Sequence, residues 1–150
     1  MNNRLLILLL LFTGCMCLQQ ACSQTTQPLV SGTIAMQDGW RPRLYLVHPQ
    51  SYTQILASYE SAVVDSADVA ADGRFSFPQR PWLRETGLYT LLIQPKTGKY
   101  RNEIRFHPQE ENFVSLILSP GSHVRLQAEA AAFTRSCRLL EADADNRSLA

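Results

Sequence analysis

The chain has 150 residues, of which 45% are hydrophobic and 18% charged, a globular balance rather than a fibrous or disordered one. A formal charge of +1 excludes the basic footprint of a nucleic-acid binder. The four cysteines, Cys15, Cys17, Cys22 and Cys137, include no pair at the two-residue spacing of a redox site and no set with histidine at zinc spacing.

In chain order, Arg4 gives a positive start and residues 5–12 an unbroken apolar run. Such a run marks a secretory signal and is too short to span a bilayer as a helix, which takes ~20 apolar residues. Thr13-Gly14-Cys15 then resembles the site where lipoprotein signal peptidase cuts before a lipidated cysteine. Small residues let the backbone enter that peptidase, and the thiol accepts the acyl chains. Phe12 stands where leucine is usual. Gln20-Ala21-Cys22-Ser23 is a second match, with Gln19 at the leucine position. Residues 1–22 are therefore expected to be a lipoprotein-type signal and anchor region, lipidated at Cys15 or alternatively Cys22. The polar residues 23–29 read as a tether. This places the protein in the cell envelope, exported and held to a membrane lipid through an acylated cysteine. Only Cys137 falls in the folded body, so a disulfide-framed core is not expected.

From Leu29 onward the apolar period is two, not 3.6. Strands are expected over 31–36, 43–47 and 62–69. Asp72-Gly73 marks a turn, and Arg74-Phe75-Ser76-Phe77 returns from it. A two-residue turn would set Val69 opposite Ser76. A three-residue loop with Gly73 left-handed sets Val69 opposite Phe75 and Ala67 opposite Phe77, which buries both rings and is preferred. Residues 88–94 are apolar on both faces except at Thr90, as in a central strand covered on both sides. Residues 103–107 and 113–118 follow as strands. Ser119-Pro120-Gly121-Ser122 fits a type II turn. In the last clear strand, 123–129, Val124, Leu126 and Ala128 should face the core, and His123, Arg125, Gln127 and Glu129 water. Helix is expected near 49–58 and again from about 139 to the end. Eight strands at short spacing argue a sandwich or open barrel. We read the fold as all-β, an antiparallel β-sandwich of immunoglobulin or transthyretin-like type over 30–132, with 133–150 a terminal strand and the start of a linker helix.

The order Gly32-x-Ile34, Arg43-Leu44-Tyr45-Leu46, Val64-Asp65-Ser66-Ala67, Asp72 to Phe77, Gly87-Leu88-Tyr89 and Leu118-Ser119-Pro120-Gly121-Ser122 resembles one domain family. It is the domain of unknown function found at the N-terminus of lipid-anchored, TlpA-like thiol-disulfide interchange proteins of Gram-negative bacteria. Asn146-Arg147-Ser148-Leu149 resembles the Asn-containing segment that ends this domain. The resemblance covers about residues 30 to 149. It implies a non-catalytic accessory domain with a protein partner in the envelope, beside a thioredoxin domain whose Cys-x-x-Cys pair does not occur in this sequence. A second resemblance, to transthyretin-like and carboxypeptidase-regulatory-like sandwiches, rests on the Asp-Gly-x-Phe-x-Phe hairpin and the Gly-x-Tyr strand. It implies a surface module binding glycan or peptide.

No residue set reads as catalytic, cofactor-binding or metal-binding. His107 and His123 fall on solvent-facing positions and lack a third ligand at motif spacing. His48, before Pro49 at a strand end, should cap a turn. Asp65 and Ser66 are adjacent in a strand and point to opposite faces, so they cannot act on one substrate. Asp65 should instead bond backbone amides. Cys137, between Arg135 and Arg138, reads as a half-buried apolar residue, though the two arginines would lower its pKa if they faced it. Trp40 and Trp82, near Pro42 and Pro81, are placed in loops. There they either seal the ends of the sandwich or form an aromatic binding surface. Arg80, Arg84, Lys96, Lys99 and Arg101 read as a solvated basic rim.

Overall fold

The computed structural model describes residues 27–51, 53–54, 62–96, 104, 109 and 111–149. The leader with Cys15 and Cys22, most of the helix expected over 49–58, and all but Ile104 of the strand expected over 103–107 lie outside these residues.

The strands are β1 (Val30–Ala35), β2 (Trp40–Val47), β3 (Val63–Asp68), β4 (Arg74–Phe77), β5 (Gly87–Pro95), β6 (Phe113–Leu118), β7 (Val124–Glu129) and β8 (Arg138–Glu141). Two short helices, α1 (Phe133–Ser136) and α2 (Ala144–Leu149), flank β8. The strands form two four-stranded sheets, ordered β4-β1-β7-β8 and β3-β2-β5-β6. The expected all-β sandwich is what the chain adopts. One pair departs from the antiparallel rule: β1 and β7 run parallel, from Val30↔Val124 to Ala35↔Glu129.

Period-two patterning sets the inner face. Val124, Leu126 and Ala128 of β7 are buried, while Arg125, Gln127 and Glu129 face water. Phe75 and Phe77 of β4 are buried side by side, their rings edge-to-face at 6.2 Å. From the second sheet, Leu44, Leu46, Leu91, Ile93, Leu116 and Leu118 complete this core. β5 lies between β2 and β6 and is covered on both faces, as its sequence predicts: Leu91 and Ile93 point inward, and Leu92 packs with Val47, Ala62 and Ile104 in a second cluster.

The Asp72-Gly73 turn is not the hairpin its sequence suggests. β3 pairs with β2 and β4 pairs with β1, so the turn carries the chain from one sheet to the other. Phe75 therefore faces Gly32 and Phe77 faces Val30, rather than Val69 and Ala67. The local features survive the correction. Gly73 is left-handed at φ 81°, and Asp72 Oδ1 accepts from the Arg74 amide at 3.1 Å. Gly121 is also at φ 81°, with the Ser122 amide donating to the Ser119 carbonyl at 2.9 Å, as the type II turn requires.

Two further boundaries differ, and one side chain is placed differently. β2 begins at Trp40, so Trp40 stands in a strand and not a loop. The register against β5 jumps from Trp40↔Pro95 to Leu44↔Ile93, because Pro42 has no N–H for the ladder and the chain bulges around it. The region from 139 onward is strand before it is helix, since β8 pairs with β7 as far as Glu141. His123 is not simply solvent-facing. Its side chain is only 22% exposed, with Nδ1 at 2.9 Å from the Pro28 carbonyl and Nε2 at 3.0 Å from Glu141.

Asn146 explains how α2 closes the domain. Its buried side chain accepts from the Ile117 amide at 2.8 Å and donates to the Ile117 carbonyl at 2.6 Å. The amide thus copies a neighbouring strand and satisfies the outer edge of β6. Asp143 holds Asn146 in place, accepting from its main-chain amide at 3.1 Å and from Nδ2 at 2.7 Å.

Candidate functional site

One end of the sandwich gathers the start of β1, the end of β4, the start of β5 and the β6–β7 turn. Side chains bind these loops together: Gln79 Nε2 donates to the Ser122 carbonyl at 2.7 Å, and the Thr86 and Ser119 hydroxyls meet at 2.8 Å. A cleft of about 250 Å³ opens there, lined by His48, Val64, Trp82, Arg84, Glu85, Thr86, Gly87 and Tyr89.

The cleft is built on an aromatic stack. Tyr89 is 5% exposed and lies on the inner face of β5. The His48 ring stacks on it at 4.4 Å and 24°. Trp82 leans on the same Tyr89 at 6.0 Å and 38° while staying 36% exposed. Burial pushes the Tyr89 hydroxyl above its ordinary pKa, so the phenol stays neutral. His48 Nδ1 lies 2.9 Å from the Leu88 carbonyl. A carbonyl only accepts, so Nδ1 carries the proton. Gly87 gives the ring its seat: a Cβ there would sit 3.1 Å from His48 Cε1. His48 is therefore fixed across two strands and does not cap a turn.

Beside the cleft, Arg80 reaches Asp65 with Nε to Oδ2 at 2.7 Å and a second bond at 3.2 Å. Hydrogen bonding, then charge, raises the Arg80 pKa above its usual value. Asp65 also accepts from the Ser66 amide at 2.9 Å, the backbone role its sequence suggests. Ser66 itself is exposed on the opposite face. Arg80 thus leaves the basic rim and pins the 78–86 loop to β3. Lys99, Arg101 and His107 lie outside the described residues.

A second concavity, of about 440 Å³, follows the seam between β6 and β8 and includes Val114, Cys137, Leu139 and Asn146. Neither neighbouring arginine activates Cys137. Arg135 turns to Glu111 at 3.5 Å, and desolvation pushes the thiol up to about 11. Alkylation of Cys137 at pH 8 is expected to run about two hundred-fold slower than for a free cysteine of pKa ~8.5, because the thiolate fraction falls by that factor. Peptide-resolved mass spectrometry after iodoacetamide treatment, with and without urea, measures this. Equal rates in the folded and unfolded chain would contradict the burial. Among the described residues no group of three or more His, Cys, Asp or Glu side chains is placed to hold a metal ion.

Sequence reasoning singled out Trp82 but missed His48, Tyr89 and Gly87 as its partners. The available signal was the Gly-x-Tyr opening of β5, which reads as strand grammar until β2 is known to lie beside it. Trp40 takes no part in the cleft and packs against the main core. No family model matches the chain, and no curated protein matches it.

Proposed function

We propose that this chain is the non-catalytic N-terminal accessory module of an exported, lipid-anchored thiol-disulfide interchange protein. The observation that carries the reading is how the two ends of the domain are held. His123 bonds the Pro28 carbonyl on one side and Glu141 on the other, and Arg125 joins Glu141 as well. The residue before β1 and the end of β8 therefore lie side by side at His123, and the chain then runs on through α2 along the outer edge of β6. That suits a module placed between an anchor and a working domain. The ordered motifs of the resemblance support it too: Gly32, Asp72-Gly73, Gly87 and Asn146 each have a defined structural task. The raised pKa of Cys137 fits a thiol used for packing rather than exchange.

Among the described residues no helix is long and apolar enough to cross a membrane, so attachment in this reading falls to the leader cysteine. Metabolic labelling with a palmitate analogue tests it, comparing wild type with Cys15→Ser and Cys22→Ser. Label on a membrane-fractionating wild-type protein, lost in one of the two variants, is the expected result. Unlabelled, freely soluble wild-type protein would refute the lipid anchor. Insulin reduction that depended on Cys137 would refute the non-catalytic assignment.

A further inference from the structure

We infer that the cleft formed by Trp82, Tyr89 and His48 binds a neutral pyranose ring of a glycan. The inference needs only the folded sandwich and stands apart from the accessory-module reading.

Recognition in this cleft has to come from side chains. β2 and β5, which lead to His48 and carry Tyr89, are each paired on both sides. Two main-chain groups beside His48 are also engaged: the His48 amide donates to the Ala62 carbonyl, and the Leu88 carbonyl accepts from His48. An extended peptide gains affinity by adding to a free strand edge; the one edge strand at this cleft is β3, through Val64, and there the 78–86 loop is already pinned by Arg80 on Asp65.

A sugar ring makes different demands. One face is a sheet of C–H bonds that packs on an aromatic ring, and the rim is a set of hydroxyls that each donate and accept. Trp82 offers the accessible ring, and the Tyr89–His48 stack beneath it is already ordered, so little freedom is lost on binding. Arg84 and Glu85 stand exposed at the rim, with no side-chain partner among the described residues. The guanidinium only donates and the carboxylate only accepts, so the two together satisfy a hydroxyl pair. In the neutral imidazole, His48 Nε2 adds a further acceptor. The opposite charges of Arg84 and Glu85 cancel, which favours a neutral sugar over an acidic or amino one. The small volume admits one ring, with the rest of the chain in solvent.

The test uses the full chain in detergent, titrated calorimetrically with tri-N-acetylchitotriose and with maltotriose as probes. Saturable binding of at least one probe at millimolar concentration or below is expected. Trp82→Ala should weaken it by about tenfold or more, as loss of a central aromatic anchor does. Glu85→Ala should weaken it several-fold with an unchanged melting midpoint, because that side chain holds nothing in the fold. The Glu85 variant decides the matter even if Trp82→Ala fails to fold. Absence of saturable binding to both probes overturns the inference, as does binding that survives Glu85→Ala unchanged. Binding of a mixed hexapeptide pool in place of both sugars overturns it as well.

Discussion

Phe77→Ala is expected to cost ~3–5 kcal/mol, the range for removing a buried phenylalanine and leaving a cavity. Phe77 is 0% exposed, sits opposite Val30 and meets Phe75 edge-to-face. It belongs to the short strand β4 at the edge of its sheet, so the wall around it cannot close in without moving β1. A domain of this size has a total stability of ~5–15 kcal/mol, so the loss is a large share of the whole. Phe75→Ala should be nearly as costly, since that ring is 5% exposed and part of the same core. Arg125→Ala makes the contrast. Its ion pair with Glu141 is about half exposed, and such pairs contribute ~0–1 kcal/mol. Urea melts of the three variants measure the difference. A Phe77→Ala domain that melts with wild type would mean that β4 does not face the core.

That comparison marks how far the fold was legible in the sequence. Alternation fixes which face a residue shows, and it did so for Phe75, Phe77, Val124, Leu126 and Ala128. It does not fix which strand lies alongside. Asp72-Gly73 has the same local chemistry whether the strands around it pair with each other or part to different sheets, and neither of the two hairpin registers its sequence suggests is the one adopted. What distinguishes the two arrangements is long-range: β4 lies beside β1, with Gly32 opposite Phe75, and no local signal reports that. The parallel pairing of β1 with β7 is hidden for the same reason, because more than ninety residues separate the partners, as from Val30 to Val124.

The candidate site follows the same rule. Trp82 stood out because a large ring in a Pro-flanked loop is unusual on composition alone. Its partners were invisible, because His48 and Tyr89 meet only through the pairing of β2 with β5. Asp65 is legible as a backbone acceptor, while its bidentate partner Arg80 reads from sequence as one solvated charge among several. Fifteen residues and a change of sheet separate the two. Asn146 belongs to a recognisable motif, but its task, standing in for a strand beside Ile117, depends on the distant edge of β6.

Gly32→Ala should be among the most damaging single-methyl changes available to this domain. Gly32 lies in the middle of β1, between Phe75 of β4 and Leu126 of β7. A Cβ built there overlaps the Leu126 carbonyl carbon and oxygen, which are main-chain atoms and cannot swing aside as a flexible side chain would. The methyl is housed only if β1 and β7 separate, and six paired positions join those strands. Overpacking usually costs ~1–3 kcal/mol. An obstacle made of backbone, in a central strand, places Gly32→Ala at or above the top of that range. Gly121→Ala is the control. It also loses a glycine, at φ 81° in the β6–β7 turn, but nothing lies within 4 Å of its added Cβ. Its cost should be limited to the left-handed backbone, ~1–2 kcal/mol. Urea melts followed by circular dichroism would then show Gly32→Ala with a midpoint well below that of Gly121→Ala, or with no cooperative transition. If the two variants melt together, β1 and β7 do not approach as closely as the Gly32–Leu126 contact requires, and the parallel pair at the centre of the first sheet would have to be redrawn.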